Sequence, residues 1–271
     1  MWFGLRLRYN YEVDSELDVA DCDAITPLQQ QCPAHLWYEA MLSNADYEFD
    51  RLMQALGATS GNIPDDIMVI VIGDNGSDNR TFADTVDGVD ISSIEAKQTV
   101  YQHGVRVPFC VAGAGVNNQG DVTEKVNLVD IYATVLESFG VNENQWKNEV
   151  NIIDPSIIHD SVSVFPFLAG NRAPTLRQSI FTEMFNFPGI DKAAAISDGT
   201  YKYIRFDNIT PKPPECYEVN NPANNPVETL NVLADVNPNN DGTCALLRQD
   251  MINLVCTEST TANFTWSNWC P

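Results

Sequence analysis

The sequence predicts an α/β protein in which a three-layer α/β/α domain precedes a small antiparallel α+β subdomain. Three observations support this prediction. Residues 67–72 (Ile-Met-Val-Ile-Val-Ile) form an uninterrupted apolar run, which is typical of a strand buried on both faces. Apolar residues at helical spacing precede this run at 35–56 and follow it at 126–139. Further along, two short strand patterns meet at Asp198-Gly199, a dipeptide that favours a hairpin turn.

The other elements complete this order along the chain. Residues 2–9 alternate between apolar and polar and predict a first strand, and residues 105–116 predict a second apolar strand after the 67–72 run. We place the large domain at residues 1–178 and the subdomain at 179–271. The subdomain is expected to contain strands at 179–185, 193–196 and 201–206 and a helix at 244–255.

The charge balance of the chain excludes two classes of partner. Its 271 residues include 15 Lys and Arg against 37 Asp and Glu, a formal net charge of −22. Such a surface repels nucleic acid and anionic membranes. No stretch approaches the length of a transmembrane helix. We therefore expect no nucleic-acid partner and no membrane association.

The cysteines indicate an oxidising compartment. Four of the seven lie in the last quarter of the chain, in polar sequence that can bury little apolar surface: Cys216, Cys244, Cys256 and Cys270. We expect them to form two disulfides within the subdomain of a secreted or periplasmic protein. Cys22 and Cys32 can close one further loop, and Cys110, inside an apolar strand, is expected to be a buried free thiol. Met1–Arg8 does not have the pattern of a signal peptide.

Two polar segments at strand ends are the candidate functional residues. The 67–72 run leads directly into Gly73-Asp74-Asn75-Gly76. A carboxylate and an amide oxygen are ligands that Ca²⁺ or Mg²⁺ accepts, although the same tetrapeptide also suits an ordinary turn. Lys97 precedes a strand that begins Arg-Val-Pro, where an ammonium group can bind a sulfate or phosphate oxygen; the alternative is a solvated loop lysine.

Residues 97–109 resemble a motif of the sulfatase family, within the alkaline-phosphatase-like superfamily. The segment reads Lys-Gln-Thr-Val-Tyr-Gln-His-Gly-Val-Arg-Val-Pro-Phe, and the family motif is Lys-Gly-Thr-x-Tyr-Glu-Gly-Gly-x-Arg-Val-Pro. It follows Asp-Asn-Gly at the family's distance of about twenty residues. Segments that resemble other sulfatase elements occur in the family's order at 38–52, 129–136, 160–170 and 197–204. The resemblance covers residues 34 to 206, which correspond to the second half of a sulfatase.

The resemblance implies a sulfatase-like α/β domain, incomplete at its N-terminus, and the hydrolysis of sulfate esters on a small molecule or a sulfated glycan. It implies that Asp74 and Asn75 are ligands of Ca²⁺ (or Mg²⁺) and that Lys97 binds the sulfate oxygens. The sequence departs from the family at Gln102-His103, where sulfatases have Glu-Gly. His103 is thus either a new group near the site or a loop histidine.

The family's nucleophile is missing from the sequence. Sulfatases use a formylglycine made from the first residue of a Cys/Ser-x-Pro-x-Arg motif, and no such motif occurs among the 271 residues. Our leading interpretation is therefore a sulfatase-like hydrolase represented without its N-terminal half. Two alternatives stay open: a non-catalytic domain that binds an anion or a partner, and a related phosphatase or phosphonate-ester hydrolase.

Overall fold

A computed structural model describes residues 34–59, 62–76, 85–86, 89–90, 97–154, 159–171, 177–185, 191–208, 212–219, 228, 231–233 and 242–258. These ranges contain both helices and antiparallel strands, in agreement with the predicted α/β class. The helices are α1 (Ala34–Ala55), α2 (Gln102–Val105), α3 (Asp130–Ser138), α4 (Glu143–Ile153), α5 (Phe165–Leu168) and α6 (Gly242–Glu258). The strands are β1 (Met68–Ile72), β2 (Thr85–Val86), β3 (Val89–Asp90), β4 (Phe109–Gly113), β5 (Ile180–Phe185), β6 (Asp191–Ser197), β7 (Tyr201–Asn208) and β8 (Glu215–Glu218).

The first long helix, α1, confirms the helical spacing predicted over residues 35–56. Gly57 adopts a φ of +90°, so the chain leaves the helix in the left-handed conformation that glycine permits. Large apolar side chains of α1, among them Leu42 and Leu52, are exposed, whereas Met53 is buried. No helix in the described part of the chain is long and apolar enough to cross a bilayer.

The strand β1 pairs with β4 in antiparallel orientation, with Met68 opposite Gly113 and Ile72 opposite Phe109. Burial of β1 on both faces, expected from its apolar run, is not what the described residues show, since Val71 and Ile72 are 42% and 41% exposed. Cys110 is a free thiol as predicted, but it is exposed rather than buried. The register explains this correction: Cys110 lies opposite Val71, and directly paired residues share one face of a ladder.

A buried ion pair fixes the start of α3. Arg177 Nε lies 2.9 Å from Asp130 Oδ2, and the Asp130 carboxylate also accepts the backbone N–H groups of Asn127 and Val162, each at 2.8 Å. Thr134 Oγ1 donates to the Asp130 carbonyl at 2.6 Å. Asp130 and Thr134 belong to the segment 129–136 that resembles a sulfatase helix, and their contacts give that segment a structural role.

The subdomain contains a four-stranded antiparallel sheet in the order β5-β6-β7-β8. The predicted hairpin at Asp198-Gly199 is confirmed: Asp198 Oδ1 accepts the N–H groups of Thr200 and Tyr201 at 2.8 Å, and Gly199 has a φ of +90°. Helix α6 covers one face of the sheet, where Ile196 and Tyr203 share an apolar cluster with Leu247 and Met251. The predicted helix at 244–255 is therefore confirmed as part of a longer one.

The opposite face of the sheet receives the segment that precedes α2. Val100 and Tyr101 form a second apolar cluster with Ala193, Ala195 and Ile204. Alternate residues of β6 and β7 thus contact α6 on one side and residues 100–101 on the other. The sheet of the subdomain consequently supports the segment that leads from Lys97 to α2.

One of the two predicted disulfides lies within the described residues. Cys216 on β8 is bonded to Cys244 on α6, which ties the sheet to its covering helix. Cys256 is also disulfide-bonded. Cys270 lies outside the described residues, as do Cys22, Cys32 and the strand predicted at 2–9.

Candidate functional site

The Gly73–Gly76 turn at the carboxyl end of β1 is anchored to α2 and to the segment that joins α2 to β4. Gly73 N–H donates to the Pro108 carbonyl at 3.1 Å, and Gly76 N–H donates to the Gly104 carbonyl at 2.9 Å. A Cβ at Gly76 would stand 1.8 Å from the His103 carbonyl oxygen, far closer than atoms can approach. Only glycine fits at this position, so the turn and α2 hold each other in place.

Asp74 and Asn75 are the two central residues of this turn, and both are exposed. Their carboxylate and amide oxygens have the chemistry that Ca²⁺ accepts, and both side chains are accessible to a cation in solution. Ca²⁺ takes six to eight oxygen ligands, so the pair supplies only part of a complete shell. Across the described residues there is no group of three or more His, Cys, Asp or Glu side chains arranged to hold a metal. The donor chemistry of the two side chains therefore fits a divalent cation, although they supply only two of its ligands.

Lys97 is exposed and stands at the start of the segment that leads to the buried Val100. The next residue, Gln98, has a φ of 69°, so the backbone turns sharply between Lys97 and the sheet. The arrangement fixes residues 99–104 and leaves the ammonium group of Lys97 accessible to an anion. Its convergence with Asp74 and Asn75 on one anion stays a prediction.

His103 is the second residue of α2 and is half-buried. Burial lowers the pKa of His103, and the charges of Lys202 and Arg106 lower it further, while Glu228 opposes them. The backbone of His103 borders Gly76, as the contact of its carbonyl oxygen shows. The structure thus brings this candidate next to the Gly73–Gly76 turn through its main chain.

The sequence analysis did not predict a buried ion pair that contacts the first residue of α2. Lys202 Nζ on β7 lies 2.9 Å from Glu228 Oε1, and the two side chains are only 4% and 1% exposed. The second oxygen, Glu228 Oε2, accepts the backbone N–H of Gln102 at 2.5 Å. Burial lowers the pKa of Lys202, and the adjacent carboxylate of Glu228 counteracts that effect. Alternation along β7 was the available signal, because it places Lys202 on the same face as the buried Ile204.

A second polar network links residue 101 to the sheet. Tyr101 OH donates to Glu215 Oε2 at 2.5 Å and accepts from Lys212 Nζ at 2.8 Å. Lys212 Nζ lies 3.2 Å from Glu215 Oε1 and 4.2 Å from the centre of the Phe206 ring. Burial, together with the charge of Glu215, raises the pKa of Tyr217, whose ring packs edge-on against Tyr101. These contacts hold Tyr101, and with it the start of α2, against the sheet.

The described helices and strands form a partial sulfatase-like α/β fold. A 2-O GAG sulfatase has a similar structure, with a TM-score of 0.59 at 18% identity over 83% of this chain. The phosphonate monoester hydrolase of Agrobacterium radiobacter is similar too, with a TM-score of 0.57 at 19% identity over 82% of this chain. At these identities the likeness concerns the fold alone.

Residues 23–141 match the family model of the sulfatases, which confirms the resemblance predicted from the sequence. The matched segment includes Asp74, Asn75, Lys97 and His103. The chain spans 42% of the length of the sulfatase structure and 41% of that of the hydrolase. No curated protein matches the chain at a significant level.

Proposed function

We propose that this chain contributes the metal- and sulfate-binding half of a sulfate-ester hydrolase. The observation that supports the proposal is the Gly73–Gly76 turn, seated on α2 at the end of β1 with Asp74 and Asn75 exposed. This segment belongs to the part of the chain that matches the sulfatases. A sulfated glycan or a small sulfate ester is the substrate class that follows from this relationship.

Asp74 and Asn75 would hold a divalent cation, Ca²⁺ or Mg²⁺, through one carboxylate and one amide oxygen. When bound, the cation supplies positive charge that offsets the negative charge of the ester oxygens. The role of Lys97 is complementary, since an ammonium group can donate to sulfate oxygens without itself being a metal ligand. The chain's own contribution is to bind and orient the anion.

Chemistry at this site needs a nucleophile that the present sequence does not contain. A formylglycine would have to come from a Cys/Ser-x-Pro-x-Arg motif elsewhere in the protein. The coverage of 42% of a related structure agrees with a division in which this chain provides one part of the active site. The disulfide between Cys216 and Cys244 supports a secreted or periplasmic location.

The reading frame upstream of Met1, in the transcript or the genome, tests this proposal. An in-frame Cys/Ser-x-Pro-x-Arg motif in the upstream segment supports a sulfatase. Absence of such a motif from the complete gene product contradicts it and favours a non-catalytic domain that binds an anion or a partner.

A phosphonate-ester hydrolase is the second candidate, because a phosphonate monoester hydrolase shares the fold to a similar degree. Assays of the complete gene product with matched aryl sulfate and aryl phosphonate esters separate the two. A higher kcat/KM on the sulfate supports our proposal, and a higher kcat/KM on the phosphonate supports the second candidate.

A further inference from the structure

We infer that Glu228 is a positioning residue for the Gly73–Gly76 turn and that Lys202 holds the Glu228 carboxylate in place. The relevance to metal binding rests on the function proposed above, whereas the positioning itself does not. Three consecutive contacts connect the sheet of the subdomain to the turn. Lys202 on β7 pairs with Glu228, Glu228 accepts the N–H of Gln102, and the α2 turn accepts the N–H of Gly76.

The first contact explains why a charged carboxylate is stable at this depth. A buried carboxylate is costly unless it is paired and hydrogen-bonded. Glu228 meets both conditions, because Lys202 neutralises one oxygen and the Gln102 N–H donates to the other. Lys202 is itself fixed, since it lies inside the ladder that pairs β7 with β6 and β8.

The chain close to Glu228 is itself bonded to the sheet. Its φ of 55° is a left-handed conformation that residues other than glycine rarely adopt and that persists only where the surroundings enforce it. Three residues later, Asn231 Oδ1 accepts the N–H of Cys216 on β8 at 3.0 Å, and Val232 N–H donates to the Cys216 carbonyl at 2.9 Å. Glu228 therefore presents its carboxylate from a segment attached to the sheet.

The last contact transmits this position to the turn. α2 has four residues, and Tyr101 at its N-cap makes no side-chain capping bond, so the carboxylate of Glu228 satisfies the first N–H of α2. Gly104 of α2 then accepts the Gly76 N–H, and a Cβ at Gly76 has no space. A displacement of α2 must consequently displace Asp74 and Asn75.

Hydrogen exchange at single amides, measured by NMR, tests this inference on the whole chain. Two double variants remove the buried charges together, because removing one alone would leave the other unpaired. Lys202→Met/Glu228→Gln keeps an oxygen that can accept the Gln102 N–H, and Lys202→Met/Glu228→Leu does not. We expect exchange at Gly76 to be about tenfold faster in the leucine variant and close to wild type in the glutamine variant. The Gly73 amide, bonded to Pro108, is the internal control and should be unchanged in both.

Equal exchange at Gly76 in the two variants would overturn the inference, as would parallel acceleration at Gly73. A further variant, Gln102→Pro, keeps the ion pair and removes the donated N–H at the first position of α2, where proline is tolerated. Gln102→Pro should accelerate exchange at the Gly76 amide as the leucine variant does. It also provides the test if the leucine variant does not fold. Unchanged exchange at Gly76 in Gln102→Pro would contradict the inference. None of these measurements uses a metal, so a failure of the proposed function and a failure of this inference are distinguishable.

Discussion

Gly76 donates its N–H to the carbonyl of Gly104 at 2.9 Å, and this bond joins the end of β1 to α2. We expect Gly76→Ala to lower the free energy of unfolding by about 1–3 kcal/mol, because the new Cβ would collide with the His103 carbonyl and force the two turns apart. Urea denaturation measures the change.

Gly242→Ala is the matched control for this substitution. A Cβ at Gly242, at the start of α6, meets no atom within 4 Å, and alanine favours a helix. That variant should be neutral or more stable by up to about 1 kcal/mol. Equal stability of Gly76→Ala and wild type would show that the turns are not in close contact.

The burial of His103 predicts a pH dependence of stability. Burial lowers its pKa in the folded state, so the unfolded chain binds the proton more strongly. The free energy of unfolding should therefore fall as the pH drops below the ordinary histidine pKa of about 6.5, while above that pH the group is neutral in both states and contributes nothing.

His103→Gln should flatten the stability curve below the ordinary histidine pKa of about 6.5, measured by urea denaturation at a series of pH values. His159→Gln is the control, because it replaces the same residue type where the ring contacts Trp146 and Asn151. An NMR titration that gives the His103 ring a pKa above about 6.5 would contradict this prediction, because burial would then not be the main influence on the pKa.

How far the sequence predicted these features depends on whether the decisive contact is local. The α1 helix and the Asp198-Gly199 hairpin were predictable because periodicity and turn chemistry are properties of neighbouring residues. The pairing of Lys202 with Glu228 was not, since the two residues are distant in the sequence. Alternation along β7 signals the burial of Lys202, but no local pattern places Glu228 beside it. The apolar run of β1 predicted burial but not which surfaces would cover it, so the exposure of Cys110 was also missed.

The cysteines predict a specific pattern of thiol reactivity. Under native, non-reducing conditions Cys110 should react promptly with a thiol reagent, because it is exposed and free. Denaturation without a reductant should release few additional thiols, since the predicted disulfides stay closed. Seven reactive thiols would contradict both disulfides and the oxidising compartment.

Loss of the Cys216–Cys244 disulfide should destabilise the subdomain. Cys216→Ala/Cys244→Ala should lower the free energy of unfolding by about 3 kcal/mol, because the bond closes a loop across 28 residues of sequence. Cys110→Ala, which breaks no bond, is the control and should change little. An unaffected double variant would show that burial against α6 alone holds the sheet.

The 271-residue chain alone should not turn over aryl sulfates above the slow background of metal-assisted hydrolysis, because it lacks the nucleophile motif. A chromogenic aryl sulfate with added Ca²⁺ measures this directly. Saturable turnover that Lys97→Ala abolishes, and that Lys147→Ala on α4 leaves intact, would mean that another residue of this chain attacks the ester.

The central claim is that Asp74, Asn75 and Lys97 form one half-site at the end of β1. Titration with paramagnetic Mn²⁺, followed by NMR of the backbone amides and reversed by excess Ca²⁺, tests it most directly. The account predicts line broadening confined to residues 73–76, 97–98 and 103–104, lost in Asp74→Asn and retained in Asp66→Asn, an exposed carboxylate just before β1. Broadening spread over the acidic surface, or unchanged in Asp74→Asn, would contradict it.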